Sequence, residues 1–209
     1  MRGTLQAILA VALLYFVQQS TAHAQSTSTY NASGAYAESF FKVNNSYVTL
    51  FAARGCIATP CSGSYGTFVV WFATNTNPDG TGSVTEGDGV VPDSAFQANN
   101  LQHMSLNVDT SQVPGFNTVT CTRVSGVWSC TNGPFGVMQA DWQATDQAST
   151  TDKEDTQTTI GPFTTKSHSD RKTTSGAATG TFLGTAFSDN SRTSLGTNKA
   201  HSSAINKPQ

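Results

Sequence analysis

Apolar and polar residues alternate along much of the chain, which is the pattern of β-strands with one buried face. The alternation is clearest at residues 101–109 and recurs at 137–143. Residues 47–51 also read as a strand. Residues 66–73 are apolar at both alternating sets of positions, which predicts a central strand between two covered surfaces.

The remaining pattern is one of short strands separated by turn residues. Residues 75–89 and 147–157 read as a turn-rich excursion and an acidic loop, and residues 92–96 as one short helical turn. The last strands are expected near 179–187 and 194–200. We therefore predict an all-β protein with roughly nine to eleven short strands and few or no helices. The expected architecture is a single antiparallel β-sandwich, jelly-roll-like or Ig-like.

The N-terminus has the features of a secretory signal peptide. Arg2 precedes an apolar run at residues 5–17, and Ala22-His23-Ala24 has the small-x-small pattern of a cleavage site. The run is short for a membrane-spanning helix, which needs about 20 apolar residues, although an uncleaved anchor is the competing interpretation. We predict a signal peptide at 1–24, a flexible leader at 25–33, a sandwich domain at 34–200 and a tail at 201–209.

Export after cleavage near Ala24 would deliver the chain to the periplasm or the extracellular space, with no membrane span in its mature part. Residues 25–209 contain 29 Thr and 22 Ser, and the whole chain contains three Glu. Such a composition favours strands. The formal net charge is −2 and basic residues form no patch, which argues against a nucleic-acid partner.

Four cysteines in an exported chain predict two disulfides. If Ser125-Gly126 is a two-residue hairpin loop, Cys121 faces Cys130 at a non-hydrogen-bonded pair, where side chains approach most closely. The expected pairing is therefore Cys121–Cys130 and Cys56–Cys61. A zinc site would need closer cysteine spacing and a neighbouring histidine.

One segment matches the spacing of a calcium-binding loop. Its oxygen ligands would be Asn75, Asn77, Asp79 and Glu86. The first position is Asn rather than Asp, Pro78 interrupts the loop, and no helices flank it. The same residues form a strong β-turn sequence without an ion, so a plain turn is the competing interpretation. Calcium is the only cofactor that the sequence suggests.

Residues suited to catalysis are few and scattered. There is no G-x-S-x-G motif, and the histidines at 103, 168 and 201 are expected at the surface. A glycosidase of this class would need two suitably placed carboxylates. The candidate carboxylates are Glu38, Glu86, Asp88 and Asp141. In the predicted elements, no two of them lie on one strand face among aromatic residues. The pattern leaves enzymatic activity open and favours a non-catalytic role.

Carbohydrate binding is the alternative function that the largest number of residues supports. Trp128, near the predicted hairpin tip, should be exposed with Arg123 opposite it. Gln139, Asp141 and Gln143 line the polar side of the 137–143 strand. The leading hypothesis is an exported, non-catalytic surface, envelope or extracellular protein with a binding or structural role. A carbohydrate-binding module or weak hydrolase, and a calcium-stabilised module, are the alternatives.

Overall fold

The computed structural model describes residues 27–56, 65–77, 79–146, 149–160 and 163–206. The predicted signal peptide therefore lies outside the described residues. The described part contains twelve strands and two short 3₁₀ turns, at Asp93–Ala95 and Thr110–Gln112. The strands are β1 Thr27–Val43, β2 Ser46–Cys56, β3 Tyr65–Thr76, β4 Gly82–Val91, β5 Phe96–Asn100, β6 His103–Asp109, β7 Asn117–Val124, β8 Val127–Asn132, β9 Val137–Ala144, β10 Thr150–Ile160, β11 Phe163–Phe182 and β12 Thr185–Asn206.

All twelve strands belong to one antiparallel sheet, which confirms the all-β prediction. The strand order is β5-β6-β9-β11-β12-β1-β2-β3-β4-β7-β8, and β10 pairs with β11 beside this path. The sandwich is thus a continuous sheet rather than two separate ones. No helix in the described part is long and apolar enough to cross a membrane.

The sheet folds over so that its two halves pack face to face. On one side of the core, Trp142 of β9 donates its indole N–H to Ser39 Oγ of β1 at 2.8 Å. Nearby, Phe182 of β11 meets Trp71 of β3 edge to face, with ring centroids 5.0 Å apart. These contacts join strands that are distant in the strand order, as in a β-sandwich.

Trp71 and Trp142 anchor the core, as their alternation with apolar neighbours predicts. Both side chains are completely buried. Gly87 leaves room for the first of them, because a Cβ atom at that position would lie within 2.4 Å of the Trp71 indole ring. The core therefore depends on a large ring packed directly against a neighbouring backbone.

Three of the predicted boundaries are wrong. The predicted excursion at 75–89 is mostly strand, since β3 runs to Thr76 and β4 begins at Gly82. The predicted acidic loop at 147–157 contains most of β10. The predicted strand at 179–187 is split by a turn at Leu183 and Gly184, both of which have positive φ. The first two errors arise because β4 and β10 are polar and lack the apolar alternation that reveals a strand. The same strands explain why the described part has twelve strands, whereas nine to eleven were expected.

The segments expected to be a leader and a tail pair with each other. β1 begins at Thr27 and β12 continues to Asn206, with Thr27 opposite Ile205. Ser and Thr suit strands, but these segments carry no apolar stripe that would reveal a strand in the sequence.

The long strands project beyond the core as a polar arm, defined here as β10 with residues 163–173 of β11, 197–206 of β12 and 27–33 of β1. Residues 150–159 of β10 are all exposed. The arm is therefore a sheet held mainly by its hydrogen-bond ladder.

The prediction that residues 66–73 lie between two covered surfaces is half right. Val69 and Trp71 point into the core, whereas Phe68 on the opposite face is 39% exposed. No described residue forms a layer over that second face.

Candidate functional site

The β7–β8 hairpin forms as its spacing predicts. Ser125 and Gly126 occupy the two loop positions with φ of 51° and 82°, the conformation that two-residue hairpins favour. Cys121 and Cys130 lie opposite each other and are disulfide-bonded, with their Cα atoms 4.0 Å apart, which confirms that pairing. Cys56 is also disulfide-bonded, but its expected partner Cys61 lies outside the described residues.

Two of the predicted ligand-binding residues lie at the tip of this hairpin. Arg123 and Trp128 face each other across the two strands. Trp128 is 51% exposed, as its position in the hairpin predicts. The hairpin therefore presents an indole ring and a guanidinium group to solvent.

The other three predicted ligand-binding residues, Gln139, Asp141 and Gln143, lie on the outer face of β9. Asp141 Oδ1 lies 2.8 Å from His103 Nε2 on the neighbouring strand β6. Gln139 donates to Asn107 Oδ1 at 3.4 Å. The histidine was expected to be an isolated surface residue, and only the strand pairing brings it to Asp141.

These three residues do not form one site with Trp128. Six strands lie between β9 and β7 in the strand order. Gln139 and Asp141 instead border a shallow depression of about 370 Å³, which Asn107 and Thr179 also line. The amide, carboxylate and hydroxyl groups in its lining can exchange hydrogen bonds with a polar ligand.

The predicted calcium ligands near the turn, Asn77 and Asp79, form hydrogen bonds within the turn. Asp79 Oδ1 accepts hydrogen bonds from the Thr81 backbone N–H at 2.9 Å and from Thr81 Oγ1 at 2.6 Å. These bonds lower the pKa of the Asp79 carboxyl below its ordinary value. Asn77 Nδ2 donates to Thr81 Oγ1 at 2.9 Å. The local hydrogen bonds are those of a plain turn.

Glu86 lies away from that turn. Asn75 pairs with Ser83, and Glu86 is three residues further along β4, or roughly 10 Å at the usual strand rise. Within the described ranges, no group of three or more His, Cys, Asp or Glu residues is placed to hold a metal ion. Calcium binding stays a prediction, and the strand register does not bring its four proposed ligands together.

A further distinctive surface of the described residues is the outer apolar face, which is the side of β1–β4, β7 and β8 that points away from the core. The strand register places its side chains on neighbouring strands. It comprises Tyr36, Phe40, Tyr47, Phe51, Phe68, Val70, Phe72, Val84, Val90, Val119 and Trp128. The most exposed of the valines, Val90, is 68% accessible.

Cations cover the rings at the β1–β2 side of this face. Arg192 Cζ lies 4.9 Å from the ring centre of Phe40, and Lys42 Nζ lies 5.6 Å from that of Tyr47. Arg171 stacks on Tyr36 at 5.2 Å and donates to its hydroxyl from Nη2 at 2.6 Å. Such cation–π contacts favour positive charge at this side.

Carboxylates lie at the other side, on β4. Glu86 and Asp88 point outward between Val84 and Val90. They lie two positions apart along one strand, roughly 6.6 Å from Cα to Cα, and so place on one face the two carboxylates that a glycosidase needs. The pair was not predicted, because both residues were expected to lie in a loop; their i, i+2 spacing was the available signal.

This carboxylate pair lacks the surroundings of an active site. Glu86 and Asp88 are exposed on the outside of the sheet, whereas enzymes exclude water around the reacting groups. Glu38, also on the outer face, is more enclosed, and burial raises the pKa of its carboxyl while Arg171 opposes the rise. It lies opposite Phe51 and faces Asp88 only across two further strands.

The polar arm carries a second histidine–carboxylate cluster. His168 Nδ1 lies 2.6 Å from Asp155 Oδ1, and His168 Nε2 lies 3.4 Å from Asp170 Oδ2. The hydrogen bond that His168 donates to Asp155 is the main cause of the raised pKa of His168. His201 lies opposite His168 on β12, and Asp155 and both histidines line an open depression of about 250 Å³.

The chain was also compared with known proteins. No family model, no curated protein and no solved structure matches it.

Proposed function

We propose that this chain is an exported, non-catalytic protein that associates with a partner through its outer apolar face. The observation that supports the proposal is the exposure of Phe68, Val90 and Trp128 on one continuous side of six strands. Soluble monomers rarely expose apolar patches larger than a few hundred Å² unless the patch binds something.

The titratable groups favour binding over catalysis. His103 with Asp141 and His168 with Asp155 are paired on exposed surfaces. Ser105 lies opposite Asp141, but the pair is open to solvent, whereas enzymes exclude water around the reacting groups. The two predicted disulfides and the signal-peptide pattern fit export into an oxidising compartment. A rigid sheet with a polar hydrogen-bonded arm is also suited to a structural role at a cell surface.

The test compares retention of the purified exported protein on candidate surfaces, namely insoluble polysaccharides, lipid vesicles and the immobilised protein itself. A Phe68→Ser/Val90→Ser variant should lose retention on the partner, because it removes apolar area from the centre of the face. A matched Gln139→Ser/Gln143→Ser variant on β9 should retain it. Equal retention of both variants, or turnover of a substrate by the wild type, would contradict the proposal.

Carbohydrate binding is the second candidate, and the depression beside Asn107, Gln139 and Asp141 is the observation that favours it. Amide and carboxylate groups can exchange hydrogen bonds with sugar hydroxyls there. Soluble oligosaccharides should then raise the melting temperature, and the Gln139→Ser/Gln143→Ser variant should abolish the shift. At a hundred times its dissociation constant, a ligand stabilises by about 2.7 kcal/mol.

The same melting experiment addresses calcium. If Asn75, Asn77, Asp79 and Glu86 bound the ion, calcium would raise the melting temperature and a chelator would lower it. The hydrogen bonds around Asp79 lead us to expect no shift with either.

A further inference from the structure

We infer that the polar arm carries a second binding surface and that its ligand is an acidic polysaccharide. The surface is the side of the arm that continues the core side of β11 and β12, where Thr174 lies opposite Leu195 and both are buried. Beyond that point the alternating positions carry charge, and we call this side the lysine face. Because it lies on the opposite side of the sheet from the outer apolar face, binding here does not depend on the proposed function.

Strand pairing gathers on this face lysines that are far apart in the sequence. Four of the six lysines of the chain lie on it, and all four are exposed. The charged and titratable residues of the lysine face are Lys153 and Asp155 of β10, Lys166, His168, Asp170 and Lys172 of β11, and Lys199 and His201 of β12. With neutral histidines, four lysines and two aspartates give the face a formal charge of +2, whereas the whole chain has −2.

The opposite face of the arm has the other sign. Its charged residues are Asp152 and Glu154 of β10 and Arg171 of β11, which sum to a formal charge of −1. Arg171 also donates to the hydroxyl of Tyr36. Charge is therefore sorted between the two faces of the arm, and a polyanion would be attracted to the lysine face alone.

The lysines surround the aspartates at wide intervals. Lys153 and Lys199 lie opposite Asp170 on its two sides, about 10 Å apart across two strand spacings. Lys153 Nζ is 3.7 Å from Asp170 Oδ1, so this lysine is partly neutralised. Lys166 and Lys172 are six residues apart on β11, or roughly 20 Å. Cations at such intervals suit a polymer whose own charges are well separated, as they are when each sugar or pair of sugars carries one carboxylate or sulfate.

Uncharged polar residues lie beside the lysines. Thr151 and Thr197 lie opposite Lys172 on its two sides, and Gln157 lies opposite Lys166. Gln157, Lys166 and the two histidines line the open depression of about 250 Å³. The hydroxyl and amide groups can exchange hydrogen bonds with sugar hydroxyls, and the aspartates can accept such bonds. The surface thus offers both the charges and the hydrogen-bonding groups that an acidic polysaccharide requires.

Nucleic acid fits this surface less well. Duplex DNA carries one charge per about 1.7 Å of its axis, so its phosphates would be held against Asp155 and Asp170. Single-stranded bases stack on aromatic side chains, and no described side chain of the lysine face belongs to Phe, Tyr or Trp. The aspartates and the lack of such rings favour a polysaccharide over a nucleic acid.

Acidification should strengthen the binding, because protonation of both histidines would raise the formal charge of the face from +2 to +4. The hydrogen bond to Asp155 raises the pKa of His168, so His168 gains its charge at a higher pH than an ordinary histidine does. The charged and titratable groups around His168 are Asp155 and Lys153 of β10, Lys166 and Asp170 of β11, and His201 and Lys199 of β12. The register places the uncharged Asn31 of β1 beyond His201.

The test is retention of the purified exported protein on immobilised polygalacturonate and dextran sulfate, with plain dextran as the neutral matrix. The wild type should bind both acidic polymers at low ionic strength and elute as salt screens the attraction. A Lys166→Gln/Lys199→Gln variant should bind about tenfold more weakly, as the loss of two exposed ion pairs allows. A Lys42→Gln/Arg123→Gln variant has the same net charge and should bind like the wild type. All four positions are exposed, and circular dichroism checks that the variants fold.

Two further variants separate the proposed surface from general surface damage. Asp155→Asn/Asp170→Asn removes the carboxylates of the face and should strengthen binding at high pH, where the histidines are neutral. His168→Ala/His201→Ala should abolish the gain in retention on acidification. Dextran sulfate is the polymer for this measurement, because its sulfates stay ionised at mildly acidic pH and the change then belongs to the protein.

Two kinds of result would overturn the inference. One is a wild type that binds neither acidic polymer, or a lysine variant that binds like its matched control. The other is retention on duplex DNA or on anionic phospholipid vesicles without retention on the acidic polymers, since the ligand would then be of another class. The Phe68→Ser/Val90→Ser variant should bind the acidic polymers like the wild type, so failure of the proposed function would leave this result unchanged.

Discussion

The core and the polar arm share three strands, yet different interactions stabilise the two regions. On β12, Leu195 is fully buried in the core, whereas Lys199 and His201 lie further along the same face and are exposed. On β11, Thr174 is buried, whereas His168 on that face pairs with Asp155. The backbone ladder continues unchanged while the side chains pass from apolar to charged.

The difference shows that strand length and strand burial are separate properties. Thr favours extended backbone, and neighbouring strands satisfy the backbone N–H and C=O groups. Stability from apolar burial, in contrast, requires a second layer. The arm has the ladder without that layer, and its charged residues on β10 suit an exposed edge, since charges discourage pairing with other chains.

The largest expected effect comes from the core. Trp142→Ala should lower the free energy of unfolding by about 3–5 kcal/mol, because it leaves a cavity and removes the partner of Ser39. Urea denaturation of this variant measures the loss. Trp128→Ala on the exposed hairpin is the control and should change stability by less than about 0.5 kcal/mol. Similar losses for both would show that burial does not separate the two regions.

Loss of the Cys121–Cys130 disulfide, at the edge of the core, should lower the stability almost as much. Cys121→Ser/Cys130→Ser removes a disulfide that closes a short loop, and the expected loss is roughly 2–3 kcal/mol. Residues 122–132 of the β7–β8 hairpin are all exposed, so little packing there replaces the link. The melting temperature of the variant should therefore fall, while that of Ser129→Ala, an exposed neighbour, should not.

A buried hydroxyl and an exposed one give the most direct comparison of core and arm. Ser39→Ala leaves the Trp142 indole N–H without its acceptor, at an expected cost of about 1–3 kcal/mol. Thr156→Ala on β10 removes an exposed hydroxyl and should cost less than about 0.5 kcal/mol. Equal costs in urea denaturation would contradict the description of the arm as a region without a buried layer.

The smallest expected effect is the titration of His168. Its folded-state pKa should exceed the ordinary value because of Asp155, and an NMR titration of the imidazole measures it. Protonated His168 then stabilises the arm below the pKa of the unfolded chain, and this contribution is lost as pH rises through the folded-state pKa. Asp155→Asn should lower the pKa, whereas Asp152→Asn, on the opposite face of β10, should not.

Only part of the candidate site was predictable from the sequence. The spacing between Cys121 and Cys130 sufficed for their disulfide and for the exposure of Trp128, because a two-residue loop determines every pair in a hairpin. The contact between His103 and Asp141, and the row that contains Glu86 and Asp88, require pairing between strands that are distant in sequence. Nothing local indicates which strands become neighbours.

The sequence by itself determined the all-β class, the hairpin disulfide and the burial of Trp71 and Trp142, since each follows from alternation or from a short loop. Tertiary structure alone decided that the strands join into one sheet, that Thr-rich leader and tail segments pair as an arm, and that β3 keeps an uncovered apolar face. Alternation reports which side of a strand is apolar. What covers that side depends on the folding of the whole sheet and, in our proposal, on a second molecule.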